Sequence, residues 1–151
     1  MTDFIRVRKL TAAQQAAGIR AMWPGFETSV RLGRLVARGR LRGSAITDEY
    51  DVRIEHHERE YPKIYVDRPA LARRAAEPDR PIPHTYDADK AGRERPCVYV
   101  PATDWNSTMP IAKTIVPWLQ SWLVDYEIWR ATGVWSGGGR HASPKNEGAA
   151  P

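Results

Sequence analysis

The sequence predicts a single α+β domain: an N-terminal helix, an antiparallel β-meander, a loop carrying a cysteine, and helices near the C-terminus. Three observations predict it. Residues 12–22 favour helix behind a capping threonine, residues 50–67 hold two runs of alternating apolar and polar side chains, and residues 111–129 repeat apolar side chains at helical spacing. A length of 151 residues suits one domain, since either half alone would bury too little apolar surface.

Thr11 is placed to cap residues 12–22, where alanine and glutamine favour helix, and Pro24-Gly25 supplies the stop. From Val30 to Arg42, with Gly43 behind it, Val30, Leu32 and Val36 share one alternating face and arginines dominate the other, which predicts one strand, although the alanine and leucine there also suit helix. Tyr50, Val52 and Ile54 alternate with Asp51, Arg53 and Glu55; the polar residues 56–60 and Pro62 then mark a turn. Residues 63–67 resume as a strand with Ile64 and Val66 on one face, making a meander of about three strands. Between Pro69 and Pro96 five prolines and few large apolar residues predict a long irregular loop, a place where chemistry often resides.

Cys97, Val98, Tyr99 and Val100 form a brief extended run closed by Pro101. Ser107 or Thr108 is positioned to cap a helix with Pro110 in its first turn, followed by the stripe Ile111, Ile115, Trp118, Trp122, Tyr126 and Trp129. Pro117 has no amide for the Lys113 carbonyl, so this stretch must kink or divide into two helices, and Gly133 ends it. The small, polar residues beyond have nothing to bury. A domain over 1–135 and a flexible tail over 136–151 follow.

Lysine and arginine number 23 against 18 acidic residues, a net charge of +5 with no dominant block of one sign. No stretch is long and apolar enough for a transmembrane span, and residues 1–10 lack a secretory pattern, so a cytoplasmic location is expected. One cysteine excludes an intrachain disulfide and a multi-cysteine zinc cage. The four histidines lack metal-ligand spacing, so neither metal nor cofactor is expected. Arg31, Arg34, Arg38, Arg40 and Arg42 have the charge for phosphate contacts, but no aromatic interleaves them; a solvated strand face is the simpler account and nucleic-acid binding is not expected.

Cys97 follows Lys90, Arg93 and Arg95, and cations close to a thiolate favour it and make the sulfur nucleophilic near neutral pH. The competing account, a buried structural cysteine, is commoner for a lone cysteine. His84, held between Pro83 and Thr85, suits either proton transfer or a simple loop hydrogen bond. Trp118, Trp122, Trp129 and Trp135 are expected in the core.

The series H84-T-Y, R-P-C97-V-Y-V-P, W105 and S107-T-M-P-I-A-K-T-I resembles the active-site half of the ubiquitin-conjugating enzyme (UBC) fold. Y50-x-V-x-I, P62-K-I-Y-V-x-x-P, W122-L-x-x-Y-E-x-W129 and T132-G-x-W135 resemble more closely the bacterial UBC-like proteins of CBASS antiphage signalling operons, over about residues 30–141. The resemblance implies a UBC-like fold and an acyltransferase in which Cys97 forms a thioester with the C-terminus of a partner, a cGAS-like nucleotidyltransferase, with an activating enzyme as a possible second partner. A non-catalytic adaptor on the same fold is the alternative. Where the eukaryotic His-Pro-Asn motif has asparagine this sequence has Tyr86, so the resemblance leaves His84, Tyr86 and Asn106 as candidates to support Cys97, with His84 preferred.

Overall fold

A computed structural model describes residues 7–86 and 94–137. Helix α1 (Ala12–Met22) begins at Thr11, whose hydroxyl accepts from the Gln14 amide while the Gln14 side chain accepts from the Thr11 amide. That reciprocal pair satisfies two of the donors a helix start leaves open. The chain then forms an antiparallel four-stranded sheet in sequence order: β1 (Glu27–Arg31), β2 (Arg34–Arg42), β3 (Glu49–His57) and β4 (Lys63–Arg68). Ile54 lies opposite Ile64 and Val52 opposite Val66, so the two predicted alternating runs pair as expected.

The single strand expected over residues 30–42 is two strands joined at Leu32-Gly33, and the meander has four strands rather than about three. Both turn residues adopt positive φ, 50° at Leu32 and 74° at Gly33, as a two-residue primed hairpin turn requires. Leucine rarely enters that region, so the sequence carried only half of a turn signal. The expected face is also reversed. Leu35, Ala37 and Leu41 are buried, whereas Val30 and Leu32 face solvent.

Three of the four β2 arginines lie on the outer surface against β3 carboxylates: Arg34 is 3.3 Å from Glu55, Arg40 3.6 Å from Asp51 and Arg42 3.7 Å from Glu49. These exposed pairs make the face a mixed-charge one and contribute little stability.

Two short strands, β5 (Thr85–Tyr86) and β6 (Arg95–Pro96), pair antiparallel, and Lys90 and Arg93 lie outside the described residues. The run expected to be extended over residues 97–100 belongs to no strand, and a turn held by Asp104 follows it: the Asp104 carboxylate accepts from the Val100 amide at 2.8 Å while its own amide donates to the Val100 carbonyl at 2.9 Å. Neither Ser107 nor Thr108 caps a helix. A short 3₁₀ turn (Ile111–Lys113) begins after Pro110, and helix α2 (Ile115–Thr132) follows it. The stretch thus divides into two, with the break at Thr114. Pro117 stands third in α2, where an amide has no intrahelical partner, so no hydrogen bond is lost. Gly133, at φ 80°, closes α2 as expected.

Helix α2 packs across the end of β2 at Gly43, where a Cβ would come within 2.7 Å of the Gln120 carbonyl. Only glycine admits that approach. Gln15 ties α1 to the 3₁₀ turn, accepting from the Ile111 amide at 2.8 Å and donating to the Met109 carbonyl at 3.0 Å. The core between sheet and helices holds Ile19, Leu35, Ile54, Ile115, Leu119, Leu123, Trp105 and Trp129. Among the described residues no helix is long and apolar enough to cross a membrane.

His56 continues the inner face of β3 and lies in the core, edge-on to Trp105 at 5.6 Å. Burial penalises its charged form and lowers its pKa to about 4. Between that value and the ordinary one near 6.5 the unfolded chain binds more protons than the folded one, so stability falls as pH falls through this window. Urea unfolding at a series of pH values should show a loss of about 3 kcal/mol from this group between pH 6.5 and pH 4. His56→Phe should flatten the slope between pH 5 and 6.5; an unchanged slope would assign that titration elsewhere.

Candidate active site

The hairpin β5/β6 sets the centre of the site. Thr85 lies opposite Pro96 and Tyr86 opposite Arg95, so one register step further brings His84 opposite Cys97. The Cys97 amide donates to the His84 carbonyl at 2.8 Å, consistent with that step. Residues directly opposite in an antiparallel pair present their side chains to the same side. His84 adopts φ 52°, which turns the chain toward α2, and its carbonyl also accepts from the Trp122 indole at 2.9 Å.

A groove of about 510 Å³ lies between this hairpin and α2. Cys97 and His84 line it together with Asp104 from the following turn. Helix α2 supplies Trp118, Ser121, Trp122 and Asp125, whose spacing of three and four residues places them on one helical face. Trp135, just past α2, closes the far end, its ring 4.9 Å from that of His84 and 5.5 Å from that of Trp122.

Cys97 forms part of the groove wall with 8% of its surface exposed, and its thiol donates to the Tyr99 carbonyl at 3.6 Å. The Tyr86 hydroxyl donates to the same carbonyl at 3.5 Å, and the Cys97 side chain is near enough to act electrostatically on the phenol. Burial, and then the adjacent Cys97, hold the Tyr86 phenol well above its ordinary pKa, so it stays a neutral O–H donor. The Arg95 guanidinium lies over the Tyr86 ring, 5.2 Å from its centre. Asn106 is exposed and outside the groove lining; its side-chain oxygen accepts from the Thr108 amide at 3.0 Å and from the Thr108 hydroxyl. The structure therefore brings Cys97, His84 and Tyr86 together and places Asn106 in a local turn.

Asp125 was not singled out by sequence. Burial raises its carboxyl pKa, while the Ser136 hydroxyl, 3.5 Å away, and the positive potential of His84 pull it back down. Trp118 and Trp135 likewise belong to the groove wall, whereas Trp122 and Trp129 are buried as expected. The 118/121/122/125 spacing was visible in the sequence, but nothing there said which helical face would meet Cys97. Among the described residues no cluster of histidine, cysteine and carboxylate side chains is arranged to hold a metal ion.

The sequence model of the type II CBASS E2 protein family matches residues 15–142. The chain belongs to this family, and with it to an E2-like role in CBASS antiphage signalling. No curated protein matches the chain.

Trp122→Phe keeps a ring in place but leaves the His84 carbonyl with one donor instead of two. Losing that hydrogen bond should lower stability by about 1 kcal/mol in urea unfolding. It should also speed reaction of Cys97 with a bulky maleimide, because the His84 turn loosens from α2. Unchanged stability and thiol access would show that this bond does not hold the groove together.

Proposed function

We propose that the chain is a ubiquitin-conjugating-like acyltransferase. Cys97 accepts the C-terminal acyl group of a partner protein, a cGAS-like nucleotidyltransferase of the same defence system. The observation that carries this reading is the placement of the one cysteine on the wall of an open groove, opposite His84 and against the Tyr86 hydroxyl. Membership of the CBASS E2 family supports it from the side of sequence.

A carboxylate is too poor an electrophile for a thiol, so the acyl group must arrive activated, as a thioester on an activating enzyme. The Cys97 sulfur then bonds to the acyl carbon, the bond to the donor's sulfur breaks, and the Cys97 proton ends on the departing thiol. Charge gathers on the acyl oxygen during attack, and a neutral O–H such as that of Tyr86 is the donor such an oxyanion needs. Where the eukaryotic motif has asparagine, the Tyr86 hydroxyl stands beside Cys97, both side chains donating to the Tyr99 carbonyl.

A second reading has one observation in its favour. The thiol is only 8% exposed and donates to a backbone carbonyl, as a structural cysteine would. On that reading the chain is an adaptor that binds its partner without chemistry.

Co-expression with the partner and its activating enzyme separates the two. The wild type should carry a covalent adduct lost on treatment with a thiol reductant, Cys97→Ser a reductant-resistant one, and Cys97→Ala none. Deleting the partner's last residue should abolish both adducts. An adduct that persists in Cys97→Ala would remove Cys97 from the chemistry, and partner binding without any adduct would establish the adaptor.

A further inference from the structure

The four-stranded sheet has an open edge at β1. That strand pairs with β2 on one side only, and every residue of it except Thr28 is exposed. At the other edge β6 lies beside β4. An open edge offers unpaired backbone donors and acceptors to another strand, and proteins commonly blunt it with proline, lysine or a bulge. The run E-T-S-V-R has neither proline nor lysine, and it pairs with β2 without a shift of register. Arg20 donates to the Thr28 hydroxyl at 2.8 Å, which engages that side chain and not its backbone.

The two-residue turn at Leu32-Gly33 determines which backbone groups point outward. Arg31 and Arg34 flank the turn and exchange their hydrogen bonds, and bonded and non-bonded pairs then alternate along an antiparallel ladder. Glu27, Ser29 and Arg31 therefore direct their amides and carbonyls at β2, while Thr28 and Val30 direct theirs at the open edge. The two ends of the strand carry opposite charges on one face of the sheet. Among the described residues neither Glu27 nor Arg31 forms an ion pair, and Arg31 stands directly opposite a like charge, Arg34.

We propose that β1 is the joining edge of a homodimer, in which two copies of the chain pair antiparallel about Ser29 and make one continuous sheet. In that register Thr28 of each copy meets Val30 of the other, each such pair exchanging both of its hydrogen bonds, so the outward groups of both strands are satisfied. Glu27 of each copy stands opposite Arg31 of the other, once at each end of the join, as two-fold symmetry requires. A parallel join would set Glu27 against Glu27 and Arg31 against Arg31, and moving the antiparallel register by two residues breaks both charge pairs. Leu32, 88% exposed, follows Arg31 and so falls beside Phe26 of the second copy. The Cys97 hairpin adjoins the far edge of the sheet, so the join leaves it uncovered. A contact of this length is small, which makes the dimer a weak one whose population depends on concentration.

Sedimentation equilibrium of the full chain from about 1 to 500 µM tests this and should show a monomer–dimer equilibrium in the micromolar range. Arg31→Glu and Glu27→Arg each set like charges opposite one another at both ends of the join, and each should weaken the dimer about tenfold. Mixing the two single variants should restore dimerisation, because both ends of the mixed pair again carry opposite charges; the double variant should pair as the wild type does. Val30→Pro removes an amide that β2 does not use and should leave a folded monomer. Urea unfolding of each variant separates lost pairing from lost folding. A wild type that stays monomeric at the top of the range would overturn the proposal. So would a dimer that folded Val30→Pro or the single charge variants leave at full strength, or single variants that fail to recover on mixing.

Discussion

The site depends on one backbone oxygen. The His84 carbonyl accepts from the Cys97 amide at 2.8 Å and from the Trp122 indole at 2.9 Å. It thereby ties the cysteine-bearing hairpin to the middle of α2. Without it the hairpin consists of two residues on each strand, too short to hold a position by ladder bonds alone. His84 turns there through a positive φ, and its side chain lines the groove. A backbone acceptor with two donors is also insensitive to pH, so the frame stays constant while the groups it presents titrate.

The rest of the fold places α2 where that oxygen can reach it. Gly43 lets the helix cross the end of β2 at a distance that any side chain would prevent. The Thr114 break and Pro117 fix where α2 starts, and so which of its faces meets the hairpin. Trp122 stacks on Tyr126, 5.4 Å between ring centres, and the Tyr126 hydroxyl accepts from the Ala72 amide at 2.8 Å, so α2 also holds the loop that leads back from β4. The Tyr99 hydroxyl donates to the Pro62 carbonyl and fastens the turn after Cys97 to the β3–β4 connection. The groove is therefore bordered by α2 and the turn after Cys97, each fastened elsewhere in the fold, and by the hairpin that the His84 carbonyl ties to α2.

Much of this was legible in the sequence, and the reasons for the exceptions are physical. Helix α1, strands β3 and β4, the Gly133 stop and the apolar stripe of α2 all followed from local signals that tertiary packing reinforces. The β1–β2 turn did not, because Leu32 occupies a conformation its side chain disfavours and the arginine-rich flanks alternate on both sides of it. Cys97 and His84 were identified as a pair because their neighbours resemble a known motif, and the register of a four-residue hairpin then explained why they meet. Asp125 lay beyond reach of sequence reasoning. It is 28 residues from Cys97 on a helix whose orientation no local pattern determines. Asn106 was a reasonable candidate by proximity to Cys97, yet it is consumed by its own turn through Thr108.

The central claim is that the bond formed at Cys97 is an acyl thioester to a partner's C-terminal carboxyl group, and its chemical identity is directly measurable. Neutral hydroxylamine cleaves thioesters and leaves the acyl carbon as a hydroxamate. Applied to the purified wild-type adduct, followed by mass spectrometry of both products, it should return Cys97 as a free thiol and the partner with a hydroxamate on its final residue. An adduct that survives hydroxylamine, or a hydroxamate at any other carboxyl of the partner, would contradict the account.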